Sequence, residues 1–528
     1  MSRRGFLGLT AGTGAALIAG ATGYAHLTQP STGRILHSTG PVPEPFQVPL
    51  PLPPAARPAR TEAHADFYDL EQREGQAEIL PGRTTTVWGY DGIFPGPTFT
   101  ARSGRRTVIR VRNMLTVPTA MHLHGGVTPP ESDGYPTDLV LPTRRGPGHN
   151  HHHPAATPGS HSRHTDPMAG DTTTAERTYT YPLPQRAATL WYHDHRMDFS
   201  APQVWRGLAG MFIIRDQEED RLPLPGGDRD IPLMLTDRSF EADGSFRYPA
   251  LDPTCTRQPG VQDAYMDGVL GDIQLVNGAP WPELEVSTTR YRLRLLNASN
   301  ARRYQLRLDT EDGGAHLPFV QIGSDGGLLA APQRLDTLAM APAERFDVVI
   351  DFSALPVGTH ITLVNTAAQG RMGQVMRFHI VRRQKDDSRV PARLSAFDTL
   401  TATHGMPVRS FDFRRTGDDE QQMWTINGQP FHTSKVWARP RLGSVERWRF
   451  SSDFHHPVHL HLAQFQVLAR GNKPPQACDA GWKDTVDVRP YEVVEVLARF
   501  DGYRGRYMLH CHNLEHEDMA MMANFEVI

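Results

Sequence analysis

Alternation of apolar and polar residues with a period of two dominates this chain and predicts β-strands. In residues 345–352 the apolar side chains fall mainly on one face of such a strand, and residues 290–296 and 107–112 alternate in the same way. Half-buried strands of this kind, separated by turns rich in Gly and Pro, favour β-sandwiches over βαβ units. No long amphipathic helix stands out. The pattern therefore predicts an all-β protein.

A weak internal repeat divides the strands into three parts. An Asp-Gly or Asn-Gly dipeptide occurs at 91–92, 277–278 and 427–428, and an arginine-rich alternating strand follows each after a similar gap. Three copies of one unit predict three related sandwiches, separated by charged stretches. The predicted domains are residues 45–217, 226–384 and 394–528.

Composition narrows the range of functions. The 55 Lys and Arg nearly balance the 58 Asp and Glu, which argues against nucleic acid or an anionic membrane surface as a partner. With 21% charged residues, the chain is not a multi-span membrane protein. Only 3 Cys accompany 25 His, so a disulfide scaffold is excluded and the histidines need another explanation. Pairing of Cys255 with Cys478 is left open.

The first residues predict export. Arg3 and Arg4 precede a mild run of Gly, Ala and Leu, and no charge follows before Arg34. This pattern resembles a twin-arginine signal, so residues 1–40 are interpreted as signal and linker. The protein is then expected in an extracellular, cell-surface or periplasmic location, without stable membrane insertion. A retained membrane anchor is the alternative.

One segment of the first predicted domain lacks strand patterning. Residues 143–173 are rich in Gly, Pro, Thr and His, and are predicted to form a solvated loop insertion. A metal-collecting role is the alternative. Its clustered histidines are His149, His151, His152, His153, His161 and His164.

Four His-x-His pairs carry the strongest chemical signal. Residues i and i+2 of a strand project from the same face, so each pair presents two imidazoles side by side. Imidazole is a good ligand for copper, zinc, iron and nickel. Two pairs in each half of the chain predict eight ligands that converge on one metal cluster. The pairs are His122/His124, His193/His195, His459/His461 and His510/His512.

Cys511 narrows the choice of metal. It lies between two of these histidines, so its side chain faces the opposite side of the strand. His456, His516 and Met521 complete a set of two His, one Cys and a weak Met ligand, which is typical of blue copper. Zinc is the alternative, but a lone Cys followed by a Met does not suit a structural zinc site.

These motifs resemble those of the multicopper oxidases with three cupredoxin domains, over about residues 45–528. Within that family the stretches 124–129 and 481–485 are most similar to spore-coat laccase, bilirubin oxidase and phenoxazinone synthase. The resemblance implies three cupredoxin-like Greek-key β-sandwiches. The motifs that carry it are Met121-His-Leu-His-Gly-Gly126, Trp191-Tyr-His-Asp-His195, His456-Pro-Val-His-Leu-His461 and His510-Cys-His-Asn-Leu-Glu-His-Glu517.

The resemblance also implies four copper ions. A type 1 copper would be bound in the third domain by His456, Cys511, His516 and axial Met521. A type 2 copper would be bound by His122 and His459. The type 3 pair would be bound by His124, His193, His195, His461, His510 and His512.

The implied activity is the one-electron oxidation of phenolic or aminophenolic donors, coupled to the four-electron reduction of dioxygen to water. Asp133 and Glu517 match positions with proton-supply roles in similar laccases, and a general acid is reasonable there. A turn-forming Asp and a solvated Glu are the alternatives. Trp482, Lys483 and Asp484 are expected either to shape the donor pocket or to pack in the core.

Two other functions are left open. An oxidase of cuprous or ferrous ions would serve metal detoxification, although the chain lacks a long Met-rich segment. Copper storage or delivery would explain the His-rich insertion but not the Cys511 motif. The sequence does not identify the physiological donor, the oligomeric state or any copper chaperone.

Overall fold

The computed structural model describes residues 32–143, 170–311, 313, 316–417 and 422–528. Residues 1–31 of the predicted signal and residues 144–169 of the predicted insertion, with its clustered histidines, lie outside the described residues. In the described part, no helix is both long enough and apolar enough to cross a membrane.

The first third of the chain forms two facing sheets. One sheet has the strand order β5-β12-β11-β7, and the other has the order β10-β6-β3-β2 with β4 paired to β3. Apolar residues from both sheets share one buried core. The strands are β1 (Arg34–Ile35), β2 (Arg60–Glu62), β3 (Ala65–Ala77), β4 (Thr85–Tyr90), β5 (Gly96–Arg102), β6 (Arg106–Asn113), β7 (Met121–His124), β8 (Val140–Leu141), β9 (Thr173–Thr174), β10 (Glu176–Tyr181), β11 (Ala188–Asp194) and β12 (Ala209–Arg215).

The middle third forms a second pair of sheets around its own core. Their orders are β17-β16-β13-β19-β25-β22-β23 with β14 beside β13, and β18-β27-β26-β20-β21 with β24 beside β20. The strands are β13 (Asp230–Phe240), β14 (Phe246–Arg247), β15 (Val269–Leu270), β16 (Ile273–Val276), β17 (Ala279–Pro280), β18 (Glu283–Ser287), β19 (Arg290–Asn297), β20 (Tyr304–Thr310), β21 (His316–Leu317), β22 (Phe319–Ser324), β23 (Gly327–Leu335), β24 (Leu338–Met340), β25 (Arg345–Asp351), β26 (His360–Asn365) and β27 (Gln374–Arg382).

The last third forms a third pair of sheets around a third core. Their orders are β29-β28-β31-β35-β33 and β30-β37-β36-β32-β34. The strands are β28 (Val408–Thr416), β29 (Met423–Ile426), β30 (Val436–Ala438), β31 (Val445–Ser452), β32 (His456–Leu460), β33 (Gln464–Arg470), β34 (Thr485–Val488), β35 (Val493–Arg499), β36 (Gly505–Cys511) and β37 (Met522–Val527).

Helices in the described residues are short, which confirms the all-β prediction. The longest, α1, has six residues. The α-helices are α1 (Ser200–Trp205), α2 (Gln217–Asp220) and α3 (Leu514–Asp518), and the 3₁₀ turns are Pro130–Ser132, Gly227–Arg229, Asp263–Tyr265, Gly370–Gly373 and Ala477–Asp479. The exact domain limits near residues 217–226 and 384–394 stay predictions.

The repeated dipeptide marks the same turn in each third of the fold. All six of its residues have positive φ angles, between 50° and 85°. A type I′ turn requires positive φ at both central positions, which Asn-Gly and Asp-Gly adopt at low cost. The dipeptides are Asp91-Gly92, Asn277-Gly278 and Asn427-Gly428.

One part of the strand prediction was wrong. The arginines that alternate along β19 were expected on a half-buried, solvent-facing side, but Arg292 and Arg294 are 1% and 0% exposed. Their partners are Glu219 on α2, Asp230 at the start of β13 and Asp347 on β25. The polar face of the middle sheet is therefore buried by ion pairs with its own strands and with α2, which lies between the first two predicted domains.

Candidate metal centre

Two pairs of antiparallel strands bring the four His-x-His motifs together. In the first third, the register places His122 on β7 directly opposite His193 on β11. In the last third, it places His459 on β32 opposite His510 on β36. Hydrogen bonding continues past the strand ends, because the backbone N–H of His195 donates to Ala120 at 2.6 Å. Both motifs of each strand pair therefore point toward the same space.

The eight imidazoles meet in a single cluster, and each is at most 1% exposed. Two triangles and a pair can be traced among them, but the shortest centroid distances, 3.6 Å for His124–His459 and 3.9 Å for His122–His461, join one group to another. The ring-centroid distances in one triangle are 4.9 Å for His195–His510 and 5.2 Å for His195–His461 and His461–His510. In the other they are 4.9 Å for His124–His512, 5.2 Å for His193–His512 and 5.9 Å for His124–His193, and the pair His122–His459 is 5.7 Å apart.

Several ring nitrogens in this cluster are buried without a hydrogen-bond partner among the described residues. An unpartnered buried polar atom is costly, so this pattern indicates a missing ligand. Burial lowers the pKa of His193 to about 3, which leaves its lone pair free for a metal. The unpartnered atoms are His122 Nε2, His124 Nδ1, His193 Nε2, His195 Nδ1, His459 Nε2 and both ring nitrogens of His512.

The opposite nitrogen of most of these rings is held by the protein. A ring N–H that donates to a backbone carbonyl fixes the tautomer and directs the other nitrogen toward a metal. Four rings use Nδ1 in this way. The contacts are His122 to Asp133 at 2.5 Å, His193 to Asp194 at 2.9 Å, His459 to Asp484 at 2.9 Å and His510 to Cys511 at 3.0 Å.

Cys511 and two further histidines form a separate triangle behind the strand. Cys511 Sγ lies 3.3 Å from His456 Nδ1 and 3.6 Å from His516 Nδ1, and the two nitrogens are 3.1 Å apart. Met521 is fully buried in the same core, and its backbone bonds both Cys511 and His516. Two imidazoles, a thiol and a thioether suit copper. Burial raises the pKa of the Cys511 thiol, so metal binding would release its proton.

Both predicted acids lie against the eight-histidine cluster, and each is 1% exposed. Asp133 Oδ2 is 2.7 Å from His461 Nδ1, and burial raises the pKa of Asp133 to about 8. Glu517 Oε2 lies 3.2 Å from His510 Nδ1. Although burial opposes ionisation, His195 and His510 hold the pKa of Glu517 at about 2. The alternative of a solvated Glu517 was therefore wrong.

Known proteins are similar to this chain over most of its length. Multicopper oxidase family models match residues 71–164, 159–219 and 407–528. A laccase from Bacillus subtilis (strain 168) is 34% identical over 541 residues, which cover 92% of this chain and 98% of that protein. The chain belongs to the multicopper oxidases. Bilirubin oxidase from Albifimbria verrucaria is also 34% identical, covering 94% of this chain and 84% of its own.

A solved structure extends the similarity to the fold. The laccase from Pediococcus acidilactici Pa5930 has a TM-score of 0.77 and 31% identity, and the match covers 94% of this chain and 96% of that one. The prediction of three cupredoxin-like sandwiches is confirmed. This multicopper oxidase is laccase-like, a copper-dependent oxidoreductase with dioxygen as its acceptor.

The multicopper oxidase buries the candidate ligand His516. The ring is 0% exposed and stacks on Trp424 at a centroid distance of 3.8 Å. Its Nε2 lies 3.2 Å from the backbone carbonyl of Asp267, which belongs to the middle third of the chain. No sequence signal identified this cover, because its two parts come from distant segments.

The three residues expected at the donor pocket separate in the structure. Trp482 lines a cavity of about 290 Å³ beside Leu462, which follows the ligand candidate His461. Lys483 is fully buried and pairs with acids of the middle domain at 3.1 and 3.2 Å, so packing explains it. Asp484 contacts His124 in the eight-histidine cluster.

The open question of a disulfide is answered by the cysteines' positions. Cys255, Cys478 and Cys511 are all free thiols, so Cys255 and Cys478 do not pair. Cys255 is buried in the core of the first third, whereas Cys478 packs against the core of the middle third.

Proposed function

We propose that this multicopper oxidase takes single electrons from phenolic or aminophenolic donors and uses four copper ions to reduce dioxygen to water. Bound copper would supply both the one-electron oxidation and the oxygen reduction. The similarity to a bilirubin oxidase and to laccases supports an organic donor. The single observation that carries the proposal is the buried donor set, eight imidazoles in one cluster beside one thiol site.

The type 1 copper would be held by His456, Cys511 and His516, with Met521 as the axial ligand. Support comes from the triangle of donor atoms and from the position of Met521 in the same core. The remaining ligands are divided as the resemblance to the family implies. His122 and His459 would hold the type 2 copper, and the type 3 pair would be held by His124, His193, His195, His461, His510 and His512.

The chain joins the two centres covalently. Cys511 is one peptide unit away from His510 and one from His512, and the three residues face opposite sides of the strand. The strand end thus carries ligands for both centres. Burial of every candidate ligand histidine excludes bulk water from both.

Asp133 and Glu517 would handle protons at the cluster. With a pKa of about 8, Asp133 keeps its proton at neutral pH and holds it beside His461. With a pKa of about 2, Glu517 stays ionised, so it would accept and pass protons rather than store one. The two carboxyls therefore suit opposite parts of one relay.

The beginning of the chain supports a proposal about location. Arg3 and Arg4, followed by an uncharged run, would direct export of the folded copper protein by a twin-arginine route. A copper chaperone would be a partner during loading. A fusion of residues 1–40 to a reporter, compared with an Arg3→Lys, Arg4→Lys version, tests export. Equal export of both would refute the signal.

Oxygen uptake by the copper-loaded enzyme tests the proposed reaction. Copper per chain is measured first, and the expected value is four. Uptake with aminophenols, dimethoxyphenols and bilirubin is then compared with uptake with cuprous or ferrous ion. Fast uptake with the organic donors supports the proposal. Uptake only with metal ions would make the protein a metallo-oxidase, and full copper without any uptake would make it a storage protein.

A further inference from the structure

A fully buried ion pair joins all three parts of the fold beside the copper cluster. Arg345 on β25 donates from Nη1 to Asp484 Oδ1 at 2.8 Å and from Nη2 to Oδ2, and neither side chain is more than 2% exposed. Arg345 Nε also donates to the carbonyl of Thr189 on β11 at 3.0 Å. Asp484 directly precedes β34. One guanidinium of the middle domain therefore contacts both domains that supply the cluster.

Asp484 in turn contacts two of the predicted ligands, through different ring atoms. His124 Nε2 lies 3.1 Å from Asp484 Oδ1, whereas His459 Nδ1 donates to the Asp484 backbone carbonyl at 2.9 Å. The two rings stack with centroids 3.6 Å apart and an angle of 17°. The nitrogens left without a partner are His124 Nδ1 and His459 Nε2. Asp484 thus holds opposite nitrogens of two stacked rings.

This contact distinguishes His124 from the four rings that backbone carbonyls hold through Nδ1. Four rings of the cluster donate from Nδ1 to backbone carbonyls, which leaves their Nε2 for the metal. His124 is held from Nε2, by the Asp484 carboxylate and the Thr485 hydroxyl, each at 3.1 Å. A carboxylate acceptor favours the tautomer with a proton on Nε2, so Nδ1 keeps its lone pair. Two N–H groups of the Arg345 guanidinium donate to the two carboxylate oxygens of Asp484, which fixes the orientation of that carboxylate.

We propose that Arg345 and Asp484 are a positioning pair through which the middle domain makes His124 present Nδ1 to copper. The pair gives the middle domain, which supplies none of the proposed ligands, a direct influence on the cluster. The inference rests on the proposed copper sites. Neither residue touches the reacting atoms, and both act through His124 and its neighbour His459.

A purely structural pair would stabilise the fold without affecting the metal. The chain offers a matched control in Arg302 and Asp237, which lie 2.8 Å apart with at most 6% exposure. Arg302 Nη2 also donates to Gly271, and Asp237 Oδ2 accepts from the same residue, so this pair is also buried and hydrogen-bonded, through one ion-pair contact rather than two. It contacts none of the predicted copper ligands. Asp237→Ala therefore reports the loss of a buried ion pair alone.

The test compares Asp484→Ala, Asp484→Asn and Asp237→Ala as copper-loaded full-length proteins. Loss of a partner that orients a ligand typically weakens metal affinity by about 10- to 100-fold. In Asp484→Ala we expect this loss for the copper at the cluster, measured by titration with a copper chelator. The blue absorption of the Cys511 site should stay unchanged. Asp484→Asn should lose less, because its amide oxygen can still accept from His124 Nε2.

Two readouts decide the outcome. Asp237→Ala should lower the unfolding temperature but keep wild-type copper affinity and the wild-type electron paramagnetic resonance spectrum. Wild-type copper affinity in Asp484→Ala would overturn the proposal, as would an equal loss in Asp237→Ala. If Asp484→Ala does not fold, Asp484→Asn should still show a smaller, measurable loss of copper affinity at the cluster, and wild-type affinity in that variant overturns the proposal. Absence of cluster copper in the wild-type protein would instead refute the proposed copper sites.

Discussion

The ion cluster between the first two domains allows a quantitative prediction for Glu219→Gln. Glu219 on α2 is 4% exposed and accepts from Arg292 Nη2 and Arg294 Nη2, each at 2.9 Å. Both arginines are buried on β19, and Arg294 also reaches the hydroxyl of Thr189 on β11 at 3.3 Å. Glutamine keeps the shape of the side chain but removes the charge that faces two buried guanidinium groups.

The size of the effect follows from the pKa of Glu219. Burial alone would raise it, but Arg294 and Arg292 hold the pKa at about 2, against an ordinary value of 4.5. Each pH unit between these values is worth about 1.4 kcal/mol, so the charge stabilises the folded state by about 3 kcal/mol. This value agrees with the cost of about 3–5 kcal/mol that is typical when one partner is removed from a buried ion pair.

Urea unfolding of the copper-free protein measures this loss. With a slope of about 1–3 kcal/mol per molar urea, a loss of about 3 kcal/mol lowers the midpoint by about 1–3 M. Asp220→Asn is the matched control one residue away, since the Arg102–Asp220 pair is 48% and 41% exposed. An exposed pair contributes about 0–1 kcal/mol, so its midpoint should hardly move.

The pH dependence gives a second check on the same reasoning. Because the folded-state pKa of Glu219 is depressed, its contribution is complete above 4.5 and is lost as the pH falls toward 2. The difference between wild-type protein and Glu219→Gln should therefore shrink over that acid range. A difference that stays constant there, or a neutral-pH loss no larger than that of Asp220→Asn, would refute the reasoning.

The other predictions concern the copper centres. Cys511→Ser should abolish the blue absorption and donor oxidation because the thiolate ligand is lost, and a protein that stays blue would contradict the type 1 assignment. Met521→Leu should leave a folded enzyme with a raised type 1 potential in a redox titration; an unchanged potential would exclude axial ligation. Asp133→Asn should slow reoxidation by dioxygen more than anaerobic reduction of the type 1 site in stopped-flow traces, and equal slowing would remove its proton role.

The clustering of the candidate ligands could be predicted in part because the geometry within each motif is local. A period of two along a strand places His510 and His512 on one side and Cys511 on the other, whatever the rest of the fold. The strand register is not local. That His122 faces His193 depends on the pairing of β7 with β11, about 70 residues apart, which no pattern within either strand specifies.

The role of the arginines could not be predicted for a related reason. Alternation on β19 and β25 distinguishes two faces, but a polar face can meet either solvent or another domain. Arg345 is buried because its partner Asp484 comes from another domain, and Arg292 is buried between Glu219 on α2, which lies between two predicted domains, and Asp347 on β25. From the sequence of each strand alone, both arginines are predicted to be exposed to solvent, because charged residues are rarely buried without partners.

Burial of His516 has a consequence for the choice of donor. Its ring is covered by Trp424 on one face and contacts the Asp267 carbonyl at its edge, while Arg415 lies over Trp424 with its guanidinium 4.4 Å from the ring centroid. An electron donor at this surface would therefore contact Trp424 and Arg415 rather than the candidate ligand His516. The ligand motif is encoded in the last third of the chain, whereas part of the cover comes from the middle third. Donor specificity can thus change while every copper ligand stays the same, which is why the motif identifies the reaction but not the donor.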